Sequence, residues 1–270
     1  MAMFWSSLLV GLALADFIVG SPLSPNAKTS FIRIVGGQDA NIQDYPYQVS
    51  IMLDSSHVCG GSILTTTFIL SAAHCFYEVS SPSRFTIRVG SSSRTSGGTV
   101  LQVLKINSHS SFNFDTFDYD VAVVQLASAM SFGTGVQPIQ LPTATTSFSN
   151  GQIAVATGWG YVANDGPLAS VLQVVTIPLI TTTTCRTKYY GSDPISDRMI
   201  CAGSAGKDSC TGDSGGPLVS NGIQLGIVSW GDVCGQASTP GVYTKITEFL
   251  TYINGIIGSS RNLNSTKTVS

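Results

Sequence analysis

Gly212-Asp213-Ser214-Gly215-Gly216-Pro217 is the stretch on which the reading of this chain turns. Glycines on both sides of one serine allow a sharp backbone turn that leaves two N–H groups aimed at a single point, as stabilising an oxyanion requires. A plain glycine-rich turn accounts for the same six residues, and Gly/Ser clusters recur along the chain. The serine therefore needs a base and an orienting acid before it counts as a nucleophile.

The chain has three histidines, so the search for a base is short. His74 closes Leu70-Ser71-Ala72-Ala73-His74-Cys75, at the end of an apolar strand and beside a cysteine whose disulfide can hold the imidazole in place. His57 and His109 sit in loop-like contexts, where a histidine is more often structural. For the acid, Asp120 immediately precedes the apolar run Val121-Ala122-Val123-Val124-Gln125-Leu126, whereas Asp115 and Asp118 lie in a polar loop. Spacing alone leaves the choice among these three open.

Around these residues the composition describes one or two globular domains with a sizeable core: 270 residues, 43% hydrophobic and 10% charged, net charge -2. Thirteen Lys and Arg against 15 Asp and Glu form no basic stripe and no acidic tail. That argues against nucleic acid and for partners recognised by pockets. Twenty-eight glycines and many Ser and Thr favour turns and short strands, hence an all-β architecture. Strand-length apolar runs occupy 48–53, 61–64, 85–89, 100–106, 121–126, 153–157, 172–179, 217–220, 224–229 and 241–246. Residues 91–98 and 143–151 read as surface loops, and only 248–257 suggests a helix, followed by a polar, frayed tail over 258–270. Asn264-Ser265-Thr266 is a lone glycosylation sequon.

Residues 1–15 are apolar apart from Ser6 and Ser7, too few to span a bilayer, and read as a secretory signal with cleavage after 15 or 20. Residues 21–33 are polar and read as a removable segment. The six cysteines contain no C-x-x-C, so in an exported chain disulfides are the default over zinc or redox chemistry. If each cysteine pairs with its neighbour, three local loops result, each stabilising by about 3 kcal/mol.

The order His74, Asp120, Ser214, with Ile34-Val35-Gly36-Gly37, Ala72-Ala73-His74-Cys75, Asp120-Val121-Ala122 and the serine hexapeptide, closely resembles the chymotrypsin-like serine peptidases. The resemblance runs from Ile34 to about Ile257, and within the family the chain looks most like an invertebrate trypsin. It implies two six-stranded antiparallel Greek-key barrels, roughly 34–140 and 141–257, with a C-terminal helix and a cleft between the barrels. Ser214 would then attack the scissile carbonyl, His74 would carry the proton and Asp120 would hold the imidazole, with Gly212 and Ser214 N–H groups as the oxyanion hole. Cleavage between Arg33 and Ile34 would free an amine to pair with Asp213, which His57 would partner beforehand. The resemblance supports disulfides 59 to 75, 185 to 201 and 210 to Cys234.

Asp208, six residues before Ser214, stands where trypsins place the carboxylate at the base of the primary pocket, with Ser209 beside it. Ser229, Trp230 and Gly231 would form one wall and Gly241 the other, so that Arg and Lys fit. The resemblance thus implies a secreted, monomeric endopeptidase acting on proteins or peptides, subject to proteinaceous inhibitors, with no cofactor, nucleic acid or membrane partner. Vertebrate trypsins carry a glutamate-lined calcium loop after the strand corresponding to 85–89. Residues 90–98 here hold no carboxylate, so no metal is expected. A chymotrypsin-like or collagenolytic specificity is the alternative within the family. A non-catalytic homologue is the alternative outside it, disfavoured by the intact triad.

Overall fold

The computed structural model describes residues 36–79, 81–161, 166–189, 195–232 and 238–265. The expectations for residues 1–33, for the bond between Arg33 and Ile34 and for Cys234 fall outside the described residues.

A short strand β1 (Gln38–Asp39) opens the described chain, and the next six strands close on themselves. They are β2 (Gln48–Leu53), β3 (Ser56–Ile63), β4 (Phe68–Ser71), β5 (Phe85–Val89), β6 (Thr99–Ser108) and β7 (Ala122–Leu126), in the ring order β2-β3-β4-β7-β6-β5. A second ring follows from β8 (Ile153–Gly158), β9 (Gln173–Ile180), β10 (Met199–Ala202), β11 (Pro217–Ser220), β12 (Ile223–Trp230) and β13 (Gly241–Lys245). Its order is β9-β10-β13-β12-β11-β8, closed by β8 pairing with β9. All pairings between strands are antiparallel. Two six-stranded barrels result, as expected. Closing each ring pairs both sides of its six strands and so removes the edges that invite aggregation, with β1 added outside the second ring on β9.

Two-residue turns fix the hairpin registers. Asp54 and Ser55, then Asn221 and Gly222, all have positive φ, the backbone whose twist matches the flanking strands. Side-chain alternation then sorts the cores. Val49, Ile51, Ile69, Ile87, Leu101 and Val124 fill the first barrel; Ala156, Ile177, Leu179, Ile200, Leu218 and Tyr243 fill the second. Strands β4 and β7 are apolar on both faces for a reason. While Ile69 and Val124 point inward, Phe68, Leu70, Val121 and Val123 pack against Ile246, Phe249 and Ile253.

The termini depart from the simple division at residue 140. β1 pairs with β9, Gln38 opposite Val174, so the start of the described chain joins the second barrel. The C-terminal segment covers the first. A 3₁₀ turn over Ile246–Phe249 leads into helix α2 (Leu250–Ser265), which corrects the frayed tail expected from 258. Once the first turns are packed, each further residue adds a hydrogen bond, and a sequence without an apolar period need not stop the helix. Helix α1 (Thr182–Arg186) was also not foreseen: its three threonines are weak helix formers, and the Cys185–Cys201 disulfide ties it to β10. Among the described residues no helix is long and apolar enough to cross a membrane.

Candidate active site

Strands β4 and β7 lie side by side with Ser71 opposite Ala122. His74, just past β4, and Asp120, just before β7, therefore stand at the same end of the pair. Asp120 is fully buried, which is costly for a carboxylate unless its oxygens are satisfied. Oδ1 accepts the His74 backbone N–H at 2.9 Å. Oδ2 accepts the His74 Nδ1–H at 2.8 Å and the Ser229 hydroxyl at 2.5 Å. A carboxylate can only accept, so Nδ1 carries the proton, while Nε2 lies 3.9 Å from Cys75 Sγ. Cys75, next in sequence, is bonded to Cys59 of β3 and pins the imidazole's backbone.

The second barrel brings Ser214 to the same cleft through close backbone contact. The Gly60 N–H of β3 donates to Ser214 O at 2.8 Å. A Cβ on Gly215 would lie 2.2 Å from Ser71 Oγ and 2.7 Å from Gly60 O, so only glycine permits this approach. Gly215 also has φ +78°. Buried bonds from Thr157 to Gln48 and from Ser62 to Gln224, both 2.6 Å, hold the two barrels in register around it. Among the described residues the N–H groups of Gly212 and Ser214 have no protein acceptor. They are thus open to bind a developing oxyanion.

Beside Ser214 and His74 opens a cleft of about 350 Å³, with Asp208, Ser209, Trp230, Gly231 and Gly241 in its lining. Asp208 is 4% exposed at its base. A Cβ on Gly241 would fall 2.5 Å from Asp208 Oδ1, whereas one on Gly231 would meet only the Gly241 Cα, at 3.6 Å. Glycine at 241 thus makes room for the carboxylate, and glycine at 231 leaves the mouth wide. Ser209, expected to add a hydroxyl beside Asp208, lines the cleft, and its hydroxyl bonds to the Tyr243 hydroxyl at 2.9 Å. The Tyr189 hydroxyl donates to Pro240 O at 2.5 Å and its ring packs on Trp230, bracing the far wall.

Asp213 is buried beneath this loop, its oxygens accepting the N–H groups of Gly160 at 2.8 Å and Cys210 at 2.9 Å. Those bonds favour the charged form, but burial outweighs them and pushes its pKa up to about 6. His57 does not partner it, which corrects the pairing expected before cleavage. It lies on β3 rather than in a loop and is buried, with Nε2–H donating to Gly212 O at 3.0 Å and Nδ1 accepting the Ser50 hydroxyl at 2.8 Å. Burial pulls its pKa down to about 4, so it is neutral there. Of the remaining aspartates, Asp118 pairs with Arg198, and Asp115 donates its backbone N–H to Asn113 Oδ1 in an exposed turn.

The disulfides Cys59–Cys75 and Cys185–Cys201 are present, and Cys210 is disulfide-bonded. The grouping of potential metal ligands at Cys59, His74 and Cys75 is already committed, since the sulfurs share a bond and Nδ1 faces Asp120. Sequence reasoning missed Phe117 and Asp232, both of which line the cleft. Phe117 gave no signal because its placement depends on an unusual φ of +51°, and Asp232 only its nearness to Ser229-Trp230-Gly231.

Comparison with known proteins agrees with this geometry. The sequence profile of the family described as Trypsin matches residues 34–253. The chain is 37% identical to "Trypsin 5G1" of Aedes aegypti over 242 residues, 88% of this chain and 90% of that one. It is 38% identical to the "Vitellin-degrading protease" of Bombyx mori over 258 residues, 95% and 96% of the two chains. With "Trypsin" of Phaedon cochleariae it shares 40% identity over 227 residues, 83% and 88% of the chains. The chain belongs to the trypsin subgroup of the chymotrypsin-like serine endopeptidases.

Proposed function

We propose that this enzyme cleaves polypeptides after Arg and Lys, with Ser214, His74 and Asp120 as the catalytic residues. The observation that carries the specificity is Asp208, nearly buried at the base of a cleft that glycines 231 and 241 leave unobstructed. Arg pairs with such a carboxylate bidentately, and Lys as a point charge, so Arg is preferred. His74 Nε2 takes the Ser214 proton as Oγ attacks the carbonyl, the N–H groups of Gly212 and Ser214 hold the oxyanion, and the acyl-enzyme forms as His74 returns the proton to the leaving amine. Water then repeats the sequence to release the acid. Ser229, by donating to Asp120, shares in orienting the imidazole. A relative named for degrading vitellin fits protein as the substrate.

The chain is made for export and activated by cleavage between Arg33 and Ile34, after which the new Ile34 amine pairs with Asp213. A cation there removes the cost of burying that carboxylate and so favours the loop conformation that presents both oxyanion donors. The test compares peptides differing only at the residue before the cut. Cleavage after Arg and Lys alone is expected; equal or faster cleavage after Phe or Leu overturns the reading. Amino-terminal sequencing of active enzyme is expected to begin at Ile34.

A further inference from the structure

We propose that Arg198 is a positioning residue for the triad: by gripping Asp118 and Tyr119 from the second barrel, it sets the direction in which Asp120 presents its carboxylate to His74. The inference rests on the catalytic reading of Ser214, His74 and Asp120 and extends it to a residue that does not line the cleft.

The three residues before Asp120 are in a conformation that has to be held. Phe117 at φ +51° and Tyr119 at φ +58° occupy a region bulky side chains avoid, and such residues persist only where the surroundings over-determine them. Asp118, between them, receives the hold. Its Oδ1 accepts the Tyr119 N–H at 3.0 Å, the Ser196 hydroxyl at 3.0 Å and the Arg198 Nε–H at 2.8 Å. Its Oδ2 accepts a second guanidinium N–H of Arg198. The guanidinium carbon also lies 4.2 Å from the centre of the Tyr119 ring, which stacks on His109 at 4.8 Å. One cation thus engages both residues, by a fork that fits a carboxylate and by a cation–π contact.

Arg198 is itself fixed to the strands that hold Asp120 from the other side. It immediately precedes β10, and its carbonyl accepts the Lys245 N–H of β13 at 2.8 Å. Met199, the next residue, pairs with Thr244, whose hydroxyl donates to Asp120 O at 2.7 Å. Ser229 of β12, the other neighbour of β13, donates to the Asp120 carboxylate. Three adjacent strands of the second barrel therefore grip residues 118 to 120, although the chain there is entering β7 of the first. His74 follows β4 of the first barrel, so the His74–Asp120 bond depends on how the two barrels fit, and the Arg198 fork is a charged fastening of that fit.

Burial separates this pair from an ordinary surface one. The Asp118 and Arg198 side chains are 20% and 30% exposed, against 56% and 49% for Asp54 and Arg84. Exposed pairs contribute little, whereas a partly buried, bidentate pair is screened less and fixes an orientation.

The test uses the activated enzyme, one peptide substrate with Arg before the cut, and rates normalised by titration of reactive Ser214. Arg198→Met, which keeps an apolar stem and removes the fork, is expected to lower kcat by about ten- to a hundredfold with KM little changed, because a small misplacement of a catalytic group costs that much. The proton resonance of His74 Nδ1–H, which reads the bond to Asp120 directly, is expected to move upfield in the same variant. Asp118→Asn, which keeps the shape and the bond to the Tyr119 N–H, is expected to give a smaller loss in the same direction, and it carries the test if Arg198→Met does not fold. Arg84→Met, which breaks the exposed pair, is expected to leave kcat and the resonance at their native values. Native kcat with an unmoved resonance in the variants of Arg198 and Asp118, or an equal loss in Arg84→Met, overturns the positioning role alone. Native kcat in Asp120→Asn overturns the catalytic reading beneath it, and the two failures are separated by which residue proves silent.

Discussion

In the first barrel the site residues stand at the ends of adjacent strands, their geometry fixed by a closed hydrogen-bonded ring and a disulfide. In the second barrel they stand on loops whose shape depends on glycines at positive φ, Gly212 and Gly215 among them, and on two buried carboxylates, Asp208 and Asp213. The first half is thus set by regular structure, which carries little charge. The second is set by buried charge, which makes it responsive to pH and, on the function proposed here, to cleavage and to the substrate's own cation. Under the activation proposed above, the base and acid would stay permanently in place and the oxyanion loop would be the conditional part.

The widest effects come from the chemistry the halves share. Ser214→Ala is expected to lower kcat by about a million-fold, and Asp120→Asn by about ten-thousand-fold with the fold intact, as for the equivalent groups in related or convergent enzymes. Steady-state kinetics against active-site titration reads both. Asp208→Ser is expected to remove the Arg/Lys preference by a hundred-fold or more, because the lost charge pair is worth about 3 to 5 kcal/mol, while ester hydrolysis stays measurable.

Asp213 gives the comparison its pH axis. Burial raises its pKa from 3.8 to about 6, so below the lower value both folded and unfolded chains hold the proton. As pH rises from about 4 to 6 the unfolded chain releases its proton first, and stability of the uncut chain falls by about 3 kcal/mol in total. Urea unfolding at pH 4 and 7 is expected to show this loss in the uncut chain, and not in Asp213→Asn or after cleavage before Ile34. A pH-independent uncut chain would mean the second half is as rigidly set as the first.

The two described disulfides sharpen the contrast. Each closes a separation of 16 residues and is worth about 3 kcal/mol. Replacing Cys59 and Cys75 by Ala is expected to lower kcat, since Cys75 follows His74, whereas replacing Cys185 and Cys201 is expected to raise KM through Tyr189 and the pocket wall. The smallest effect is expected from chelators. Arg88 donates to Gly97 O at 2.6 Å and to Thr95 O at 3.2 Å, so a guanidinium already sits at the carbonyls of a loop without carboxylates. A melting temperature unchanged by calcium or chelator is the expected result.

What was legible in the sequence follows the same division. Long β-branched runs such as 121–126 announced strands, and motif order announced the two barrels and the residues of the cleft. Short strands β1 and β10 were not separately readable, because their pairing comes from partners distant in sequence. Helix α2 beyond 257 has no apolar period, and α1 depends on a disulfide, so neither had a local signature. His57 looked like a loop residue because its bonds to Ser50 and Gly212 are made only once the barrels close. Positive φ at Phe117 and Tyr119 is tertiary in origin and leaves no mark on composition.

The exchange of ends between the barrels has a mechanical consequence. β1 lies in the far barrel's sheet, and the segment from Ile246 onward is wedged into the near barrel's outer face. A single break in the stretch between β7 and β8 leaves two pieces, each still holding part of the other like clasped hands. Separation then requires peeling off a strand, withdrawing Phe249 and Ile253 from their seats and parting Gln48 from Thr157. For an endopeptidase, such a clasp turns the first wound into a survivable one.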